Sequence, residues 1–150
     1  MSTNSKQRVK ARPLDRRLLF LIARAERKIA RLLDQQLRDL HIRASQLAVL
    51  LYVVEREGCT LTELSTALDL DNSAVTRLIE RMEQVDLVRR HVSPDDARAR
   101  AVYSLVSGRR VAERAAPAIH MVTDMVTRDV AASDVEAALR LLNAVVVETR

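Results

Sequence analysis

Polar side chains recur every three or four residues between positions 73 and 84, where the chain reads SAVTRLIERMEQ. In a helix this spacing places them on one continuous stripe, opposite an apolar side that faces a core. Hydroxyl, amide and guanidinium groups on such a stripe can hydrogen-bond to base edges and phosphates in a DNA groove. The pattern therefore predicts a helix whose outer face suits a nucleic acid. The stripe consists of Ser73, Thr76, Arg77, Glu80, Arg81 and Gln84.

A basic segment follows this helix. The run LVRRHV at 87–92 predicts a strand, the SPDD at 93–96 has turn chemistry, and AVYSL at 101–105 returns with partial alternation. The segment therefore predicts a β-hairpin with a long basic tip that carries Arg98 and Arg100. Arginine suits such a tip because its planar fork grips phosphates and enters narrow minor grooves.

The residues before the polar stripe predict how it is positioned. Thr60 and Glu63 have the spacing of a capping box, which opens a short helix that runs through Leu68. A turn at 69–71 follows, and either Asp71 or Asn72 can cap the next helix. Two helices joined by a tight turn, followed by a basic hairpin, predict a winged helix-turn-helix.

Long apolar periodicities flank this central unit. From Pro13, leucines and isoleucines recur at three- and four-residue steps as far as Leu40, which predicts an amphipathic helix of roughly 25 residues. Ser45 is the expected cap of a second helix that ends before Gly58.

Two more helices are predicted after the hairpin. The first runs from Ser107 to about Arg128 and contains Pro117, which removes one backbone hydrogen bond. Ser133 and Glu136 have the spacing of a second capping box, which is expected to open the final helix.

The terminal helices are predicted to form a homodimer. Their apolar stripes cannot all be covered by a central lobe of about sixty residues, so a second copy is expected to bury them. We divide the chain into a basic flexible tail, 1–12, and a single folded unit, 13–150. Within that unit, 45–106 is the expected DNA-binding lobe, and 13–40 and 107–150 are the dimerisation helices. The fold class is mainly α with a small β-hairpin wing.

The composition narrows the partners and the compartment. The 150 residues contain 25 Lys and Arg against 20 Asp and Glu, which gives a net charge of +5. Aromatic residues make up 2% of the chain, so the sequence lacks the stacking platform of single-strand and RNA binders, and duplex DNA is the better partner. A lone cysteine, Cys59, and the absence of a signal peptide or membrane-spanning run predict a cytoplasmic protein.

Other chemistry has little support in the sequence. His41, His91 and His120 are scattered and form no metal-binding motif. Glycine-rich phosphate loops and a G-x-S-x-G nucleophile motif are also absent. We therefore expect no enzyme activity, no metal and no cofactor.

Two motifs together resemble a known family. Residues 58–90, GCTLTELSTALDLDNSAVTRLIERMEQVDLVRR, and the hairpin at 93–105, SPDDARARAVYSL, are similar to MarR-type (multiple antibiotic resistance regulator) transcription factors. The resemblance runs from about Arg12 to the end of the chain and includes the D-x-R signature, Asp96-Ala97-Arg98. It implies a homodimeric regulator, expected to be a ligand-responsive repressor that binds a palindromic operator.

Roles can be assigned to individual side chains on this basis. We expect Arg77 to recognise a guanine, although a solvated charge on the helix face is the alternative. For Asn72, a capping role alone is equally compatible with the sequence. The expected DNA-binding residues are Asn72 and Thr76 at other base edges, Ser73 and Arg81 at phosphates, and Arg98, held by Asp96, in the minor groove with Arg100 as neighbour or substitute.

The regulatory input is less defined by the sequence. The resemblance implies a small aromatic or lipophilic acid as a possible effector, and cations beside apolar helix faces suggest a site near Arg17, His41, Arg43 and Tyr52. Some family members sense oxidants through a cysteine in the first helix, which here has none, and we expect Cys59 to be a small buried side chain. The alternative function is a winged-helix protein-interaction module whose basic face binds an acidic partner.

Overall fold

The part of the chain that the structure describes folds as six α-helices, a short 3-10 turn and a three-stranded sheet. The structure, a computed structural model, describes residues 13–92 and 100–148. The mainly helical fold with a small hairpin, predicted above, is confirmed. The elements are α1 (Pro13–Gln36), a 3-10 turn (Arg38–Leu40), α2 (Ala44–Glu55), β1 (Cys59–Thr60), α3 (Leu61–Leu68), α4 (Asn72–Gln84), β2 (Val88–Val92), β3 (Arg100–Ser104), α5 (Val106–Thr127) and α6 (Ala132–Glu148).

The sheet joins the hairpin to the segment before α3. Its strand order is β1-β3-β2 and both pairings are antiparallel. Val102 in the central strand lies opposite Cys59 on one side and Arg90 on the other. The hairpin is therefore anchored through β3, which pairs with β1 on one side and with β2 on the other.

A core of aliphatic side chains holds α2, α3 and α4 against the sheet and the start of α5. Leu50, Leu64, Ile79 and Met82 are fully buried, as is Val102 from the sheet. Burying each such side chain contributes about 1.5–3 kcal/mol. This lobe therefore has a closed core within one chain.

The turn between α3 and α4 follows the sequence prediction closely. The Thr60–Glu63 capping box is present, and Asp69 ends α3 in the left-handed conformation with φ 52°. Its N–H donates to the Ser65 carbonyl. Of the two candidate caps for α4, the structure selects Asp71.

Two helices begin two residues earlier than the predicted caps, Ser45 and Ser133, imply. The second helix begins at Ala44, because its N–H donates to Asp34 Oδ1 of α1 at 2.7 Å, a cap supplied from ten residues away. The final helix begins at Ala132, since the Val135 N–H donates to the Ala131 carbonyl and Ser133 lies inside the first turn. Local sequence patterns cannot reveal a cap that tertiary packing supplies.

The two ends of the chain are far more exposed than the lobe. Four consecutive apolar residues of α1, Leu18 to Leu21, are 41–68% exposed. In 132–147 every side chain except that of Val135 is exposed. Within the described residues, no helix combines the length and the apolar character that crossing a membrane requires.

Candidate nucleic-acid interface

The N-terminus of α4 is held by Asp71. Its Oδ1 accepts a hydrogen bond from the Ala74 N–H at 2.8 Å and another from the Ser73 hydroxyl. The Ser73 hydroxyl and the Ala74 N–H favour the charged carboxylate, so they lower the pKa of Asp71. The Ser73 hydroxyl hydrogen is thus engaged by the cap, so a hydrogen bond from Ser73 to a phosphate, which only accepts, requires the hydroxyl to turn away from Asp71, whereas the exposed backbone terminus of the helix faces outward.

The outer face of α4 presents Arg77. Its side chain is exposed, and it makes no hydrogen bond or ion pair to another side chain in the described part of the chain. Thr76 is half-buried and donates to the Asn72 carbonyl at 2.7 Å, while Arg81 Nε donates to the Arg77 carbonyl at 3.1 Å. The free guanidinium of Arg77 is therefore the group on this face best able to grip a base edge.

Two arginines of β2 are already paired. Glu83 near the end of α4 accepts hydrogen bonds from Arg90 N at 2.8 Å, Nε at 3.0 Å and Nη2 at 2.6 Å. Arg89 pairs with Asp86 at 3.2 Å. The Glu83–Arg90 bridge therefore ties the end of α4 to β2 of the hairpin.

Electrostatics strengthens the Glu83–Arg90 bridge. Partial burial alone disfavours the charged carboxylate, but the hydrogen bonds and positive charge of Arg90 outweigh it, so the pKa of Glu83 is lowered. Both side chains are mostly buried, at 21% and 25% exposed, so water screens the pair less than an open surface pair.

Arg100 begins β3 opposite Val92, at the outer end of the hairpin. It is exposed, and among the described residues it forms no ion pair. Asp96 and Arg98 lie outside the described residues. Arg100 is therefore the basic residue of the predicted wing site whose position the structure gives.

The four candidate effector residues do not form one site within a single chain. His41 and Arg43 line a cleft of about 590 Å³ between the end of α1 and the start of α2. Tyr52 lies instead in a groove between α2 and α3, and Arg17 lies 19 residues before Gln36, about 28 Å along α1. The full lining of the cleft is Arg31, Asp34, Gln35, Arg38, His41, Ile42, Arg43 and Gln46.

Cys59 is buried, as the sequence analysis expected. Burial, with the nearby charge of Glu63, raises the pKa of its thiol to about 11. The thiol is therefore almost wholly protonated at neutral pH, and only the thiolate is a good nucleophile.

Sequence reasoning missed the residues that act over long distances. Arg90 binds Glu83 seven residues away, and the cleft is lined by Arg31 of α1 and Arg38 of the 3-10 turn, neither of which was among the candidate effector residues. The alternation of β2 could have shown that Arg90 points to the same side as the core residue Val88. No local signal marks the cleft, because it forms only where two helices meet.

Comparison with known proteins identifies the family. Residues 42–99, which span α2 to the hairpin, match the sequence model of the MarR family. This part of the chain is therefore a MarR-family domain. The predicted family and its function, DNA-binding transcriptional regulation, are thereby confirmed.

Relatives and solved structures of MarR-family proteins agree with this assignment. The organic hydroperoxide resistance transcriptional regulator of Bacillus subtilis (strain 168) is 29% identical over 102 residues, 68% of this chain and 69% of that protein. A mutant MarR from E. coli, complexed with operator DNA, is 29% identical with a TM-score of 0.80 and covers 85% of this chain and 92% of its own. CouR from Rhodococcus jostii RHA1, bound to p-coumaroyl-CoA, shares the fold at 21% identity, with a TM-score of 0.79 over 86% and 91% of the two chains.

Proposed function

We propose that this MarR-family protein is a homodimeric repressor that binds a palindromic operator through α4 and the hairpin. Arg77 reads a guanine in the major groove, Asn72 and Thr76 contact neighbouring base edges, and Ser73 and Arg81 contact phosphates. The wing places Arg98, oriented by Asp96, or Arg100 in the minor groove. The proposal assigns the protein no enzymatic activity and places it in the cytoplasm, with the DNA that it controls.

One observation carries this proposal. Among the described residues the Arg77 guanidinium on the outer face of α4 forms no ion pair, whereas Arg89 and Arg90 of β2 are paired with carboxylates. A guanidinium without a partner, on a surface that is already held in place, can form bidentate contacts with little further loss of conformational entropy. A solvated stripe without recognition would not need the Glu83 brace that fixes α4 to the hairpin.

The exposed apolar helices support the homodimer. Leu19 and Phe20 of α1 are 68% and 58% exposed, and Leu139 and Val146 of α6 are 55% and 64% exposed. Monomeric proteins rarely leave such apolar surface in water, because burying it is favourable. A two-fold dimer of these helices then presents two copies of α4 about 34–36 Å apart, the spacing of adjacent major grooves.

The cleft between α1 and α2 supports an acidic effector. Arg31 and Arg38 line it without an ion pair among the described residues, whereas Arg43 pairs with Asp34 at 3.1 Å. These guanidinium groups can hold the carboxylate of a small aromatic or lipophilic acid. Titration calorimetry with salicylate tests this: wild type should release heat that is lost in Arg38→Ala and kept in Arg110→Ala, whose side chain lies outside the cleft. Equal heat from wild type and Arg38→Ala, or none from wild type, would remove the cleft from the proposal.

The operator is tested by selection from DNA of random sequence. The protein is used to enrich duplexes that it binds. Its affinity for the most enriched duplex is then compared with that for a scrambled duplex at two salt concentrations. We expect a palindrome bound about 1,000-fold or more tightly than the scrambled duplex, since specific sites usually exceed non-specific ones by this margin. Affinity should fall with salt for both duplexes, because each phosphate contact releases counterions.

The opposite result is equally informative. If no palindrome is enriched, and high salt removes binding to both duplexes alike, then the arginines provide only charge. The interaction-module alternative would then replace the operator proposal, and acidic partner proteins would be the next ligands to test.

A further inference from the structure

A polar network, of which only Ser104 is buried, joins the segment just after α2 to the base of the hairpin and the start of α5. The Glu57 carboxylate accepts hydrogen bonds from the Ser104 N–H at 2.9 Å and from the Ser104 hydroxyl. Arg109 Nη1 donates to Glu57 Oε1 at 3.2 Å, to the Ser104 carbonyl at 3.0 Å and to Ser104 Oγ at 2.8 Å. The Arg109 guanidinium of α5 thus contacts both Ser104, at the end of β3, and Glu57, which follows α2.

A second set of contacts fixes the same end of α5. The Leu105 N–H donates to the Leu87 carbonyl at 3.0 Å, and the Ser107 hydroxyl donates to the Asp86 carbonyl. Gly108 packs so closely that a Cβ there would lie 2.1 Å from the Leu87 carbonyl oxygen. The first turn of α5 is therefore in direct contact with the turn that leads from α4 into β2.

We propose that Arg109 is a positioning residue for operator recognition, which sets the half-site spacing that the dimer accepts. Through Glu57 and Ser104 it holds the hairpin and α4 at one angle to α5, a helix of the expected dimerisation region. This inference rests on the proposed function, because spacing has meaning only for a dimer that binds a palindrome.

Because α5 is long, a small change in its angle to the hairpin and α4 produces a large displacement at its far end. The 22 residues of α5 are about 33 Å long. A rotation of about 5° at one end moves the other end by about 3 Å, close to the 3.4 Å rise of one base pair. A joint that resists rotation of a few degrees therefore distinguishes an operator from one whose half-sites are one base pair closer or farther apart.

The network suits this role because its contacts are directional. Arg109 is 46% exposed and Glu57 37% exposed, so replacing either leaves no large cavity in the core. Ser104, in contrast, is buried, and its hydrogen bonds set where β3 ends. Removing the Arg109 guanidinium should allow the angle between α5 and the hairpin to vary more, without unfolding the lobe.

The test uses the palindrome selected by the wild-type protein and versions with one or two base pairs added or removed between its half-sites. Fluorescence anisotropy gives the affinity of wild type, Arg109→Ala, Arg109→Lys and Arg110→Ala for each duplex and for an isolated half-site. Arg110 is the matched control, since it is the next residue of α5, carries the same charge and is exposed. Circular dichroism and sedimentation confirm that each variant is folded and dimeric.

We expect Arg109→Ala to lower the preference for native over shifted spacing about fivefold or more, while affinity for the isolated half-site stays unchanged. Arg109→Lys should recover part of the preference, because an ammonium can reach Glu57 and the Ser104 carbonyl. Glu57→Ala combined with Arg109→Ala should have no larger effect than either change alone, as expected of one network. If Arg109→Ala does not fold, Ser104→Ala, which removes one acceptor of Arg109, takes its place.

Two outcomes would overturn the inference. Arg109→Ala could keep the wild-type spacing preference, or Arg110→Ala could lose as much of it as Arg109→Ala. Both results leave the proposed function intact, because wild type still binds its palindrome. Failure of wild type to prefer any palindrome would instead contradict the proposed function itself.

Discussion

The lobe from α2 to β3 and the helices at the two ends of the chain differ in how far their apolar side chains are buried within one chain. In the lobe, apolar side chains such as Leu64 and Ile79 are fully buried by their own chain. In α6, side chains of the same kind, such as Leu142 and Val146, are 45% and 64% exposed. The hydrophobic effect acts equally on both, so the lobe is complete in one chain and the ends require a second copy.

The polar groups differ in the same way. The lobe contains partly buried bridges such as Glu83–Arg90, whereas His120 and Asp124 of α5 form an open pair at 3.4 Å with side chains 79% and 60% exposed. Bridges of the first kind fix relative orientation, while open pairs contribute little. The lobe is thus built to hold one shape, and the ends are built to hold a partner.

The largest expected effect comes from charging the uncovered face of α6. Leu142→Arg should weaken the dimer about 100-fold or more, because it removes a leucine that the proposed dimer buries and places a charge in an apolar interface. Ala137→Arg adds the same charge on the opposite side of the helix and should leave the dimer intact. Sedimentation velocity over a range of concentrations measures both. Equal dimerisation of the two variants would show that α6 is not the dimer surface.

The next effect concerns the free guanidinium of α4. Arg77→Ala should cost about 1–3 kcal/mol of operator binding and relax the preference at one base pair, because a bidentate contact to guanine is lost. Arg110→Ala, which removes a charge from α5 instead, should bind the same operator as wild type. Anisotropy with each base substituted at every position provides the readout. An unchanged sequence preference in Arg77→Ala would mean that another residue of the lobe reads the operator.

A smaller effect tests the brace between α4 and the hairpin. Glu83→Gln should lower the free energy of unfolding by about 1–2 kcal/mol at pH 7, because the charge-assisted hydrogen bonds to Arg90 are weakened. Since the pKa of Glu83 is lowered in the folded state, this stability is present above its unfolded-state pKa of about 4.3 and is lost as pH falls through the folded value. The difference from wild type should therefore shrink as pH falls below the unfolded-state pKa.

Urea denaturation at pH 7, 5 and 3 measures this dependence. Glu80→Gln is the matched control, because Glu80 lies on the exposed side of the same helix and forms no ion pair within the described residues. It should show little change at any of these pH values. A pH-independent loss in Glu83→Gln would assign its effect to packing rather than to charge.

The smallest expected effect is at Cys59. With a thiol pKa of about 11, roughly one molecule in several thousand carries the thiolate at pH 7.4. Cumene hydroperoxide should therefore leave operator affinity unchanged, and Cys59→Ala should bind as wild type does. Loss of affinity on peroxide treatment in wild type but not in Cys59→Ala would show that the lobe opens enough to expose its core thiol.

Local chemistry made much of the lobe predictable. The Thr60–Glu63 capping box and the left-handed Asp69 follow from interactions within a few residues. Burial in α2 was harder to predict, because Val49 and Val53 are buried while Leu51 is 39% exposed. When nearly every residue of a helix is apolar, periodicity no longer identifies the side that packs inward.

The recognition residues show the same limit. Arg77 of α4 and Arg90 of β2 both lie in the expected DNA-binding lobe. Only the folded structure shows that Glu83 binds Arg90, while Arg77 has no ion pair among the described residues. Likewise His41 and Arg43 share a cleft, while Arg17 and Tyr52 lie elsewhere in the chain. Charge and spacing identify candidates, but partner choice depends on which elements meet.

By itself the sequence determined the winged helix-turn-helix and the polar face of α4, and it predicted that a second copy covers the terminal helices. These depend on periodicity, capping and composition, which act over a few residues or over the whole chain. Only the tertiary structure decided that Asp34 caps α2, that Glu83 holds Arg90 and that Arg109 joins α5 to Glu57 and Ser104. The physical reason is that hydrogen bonds and ion pairs act over about 3 Å, so partners distant in sequence are selected only when packing brings them together.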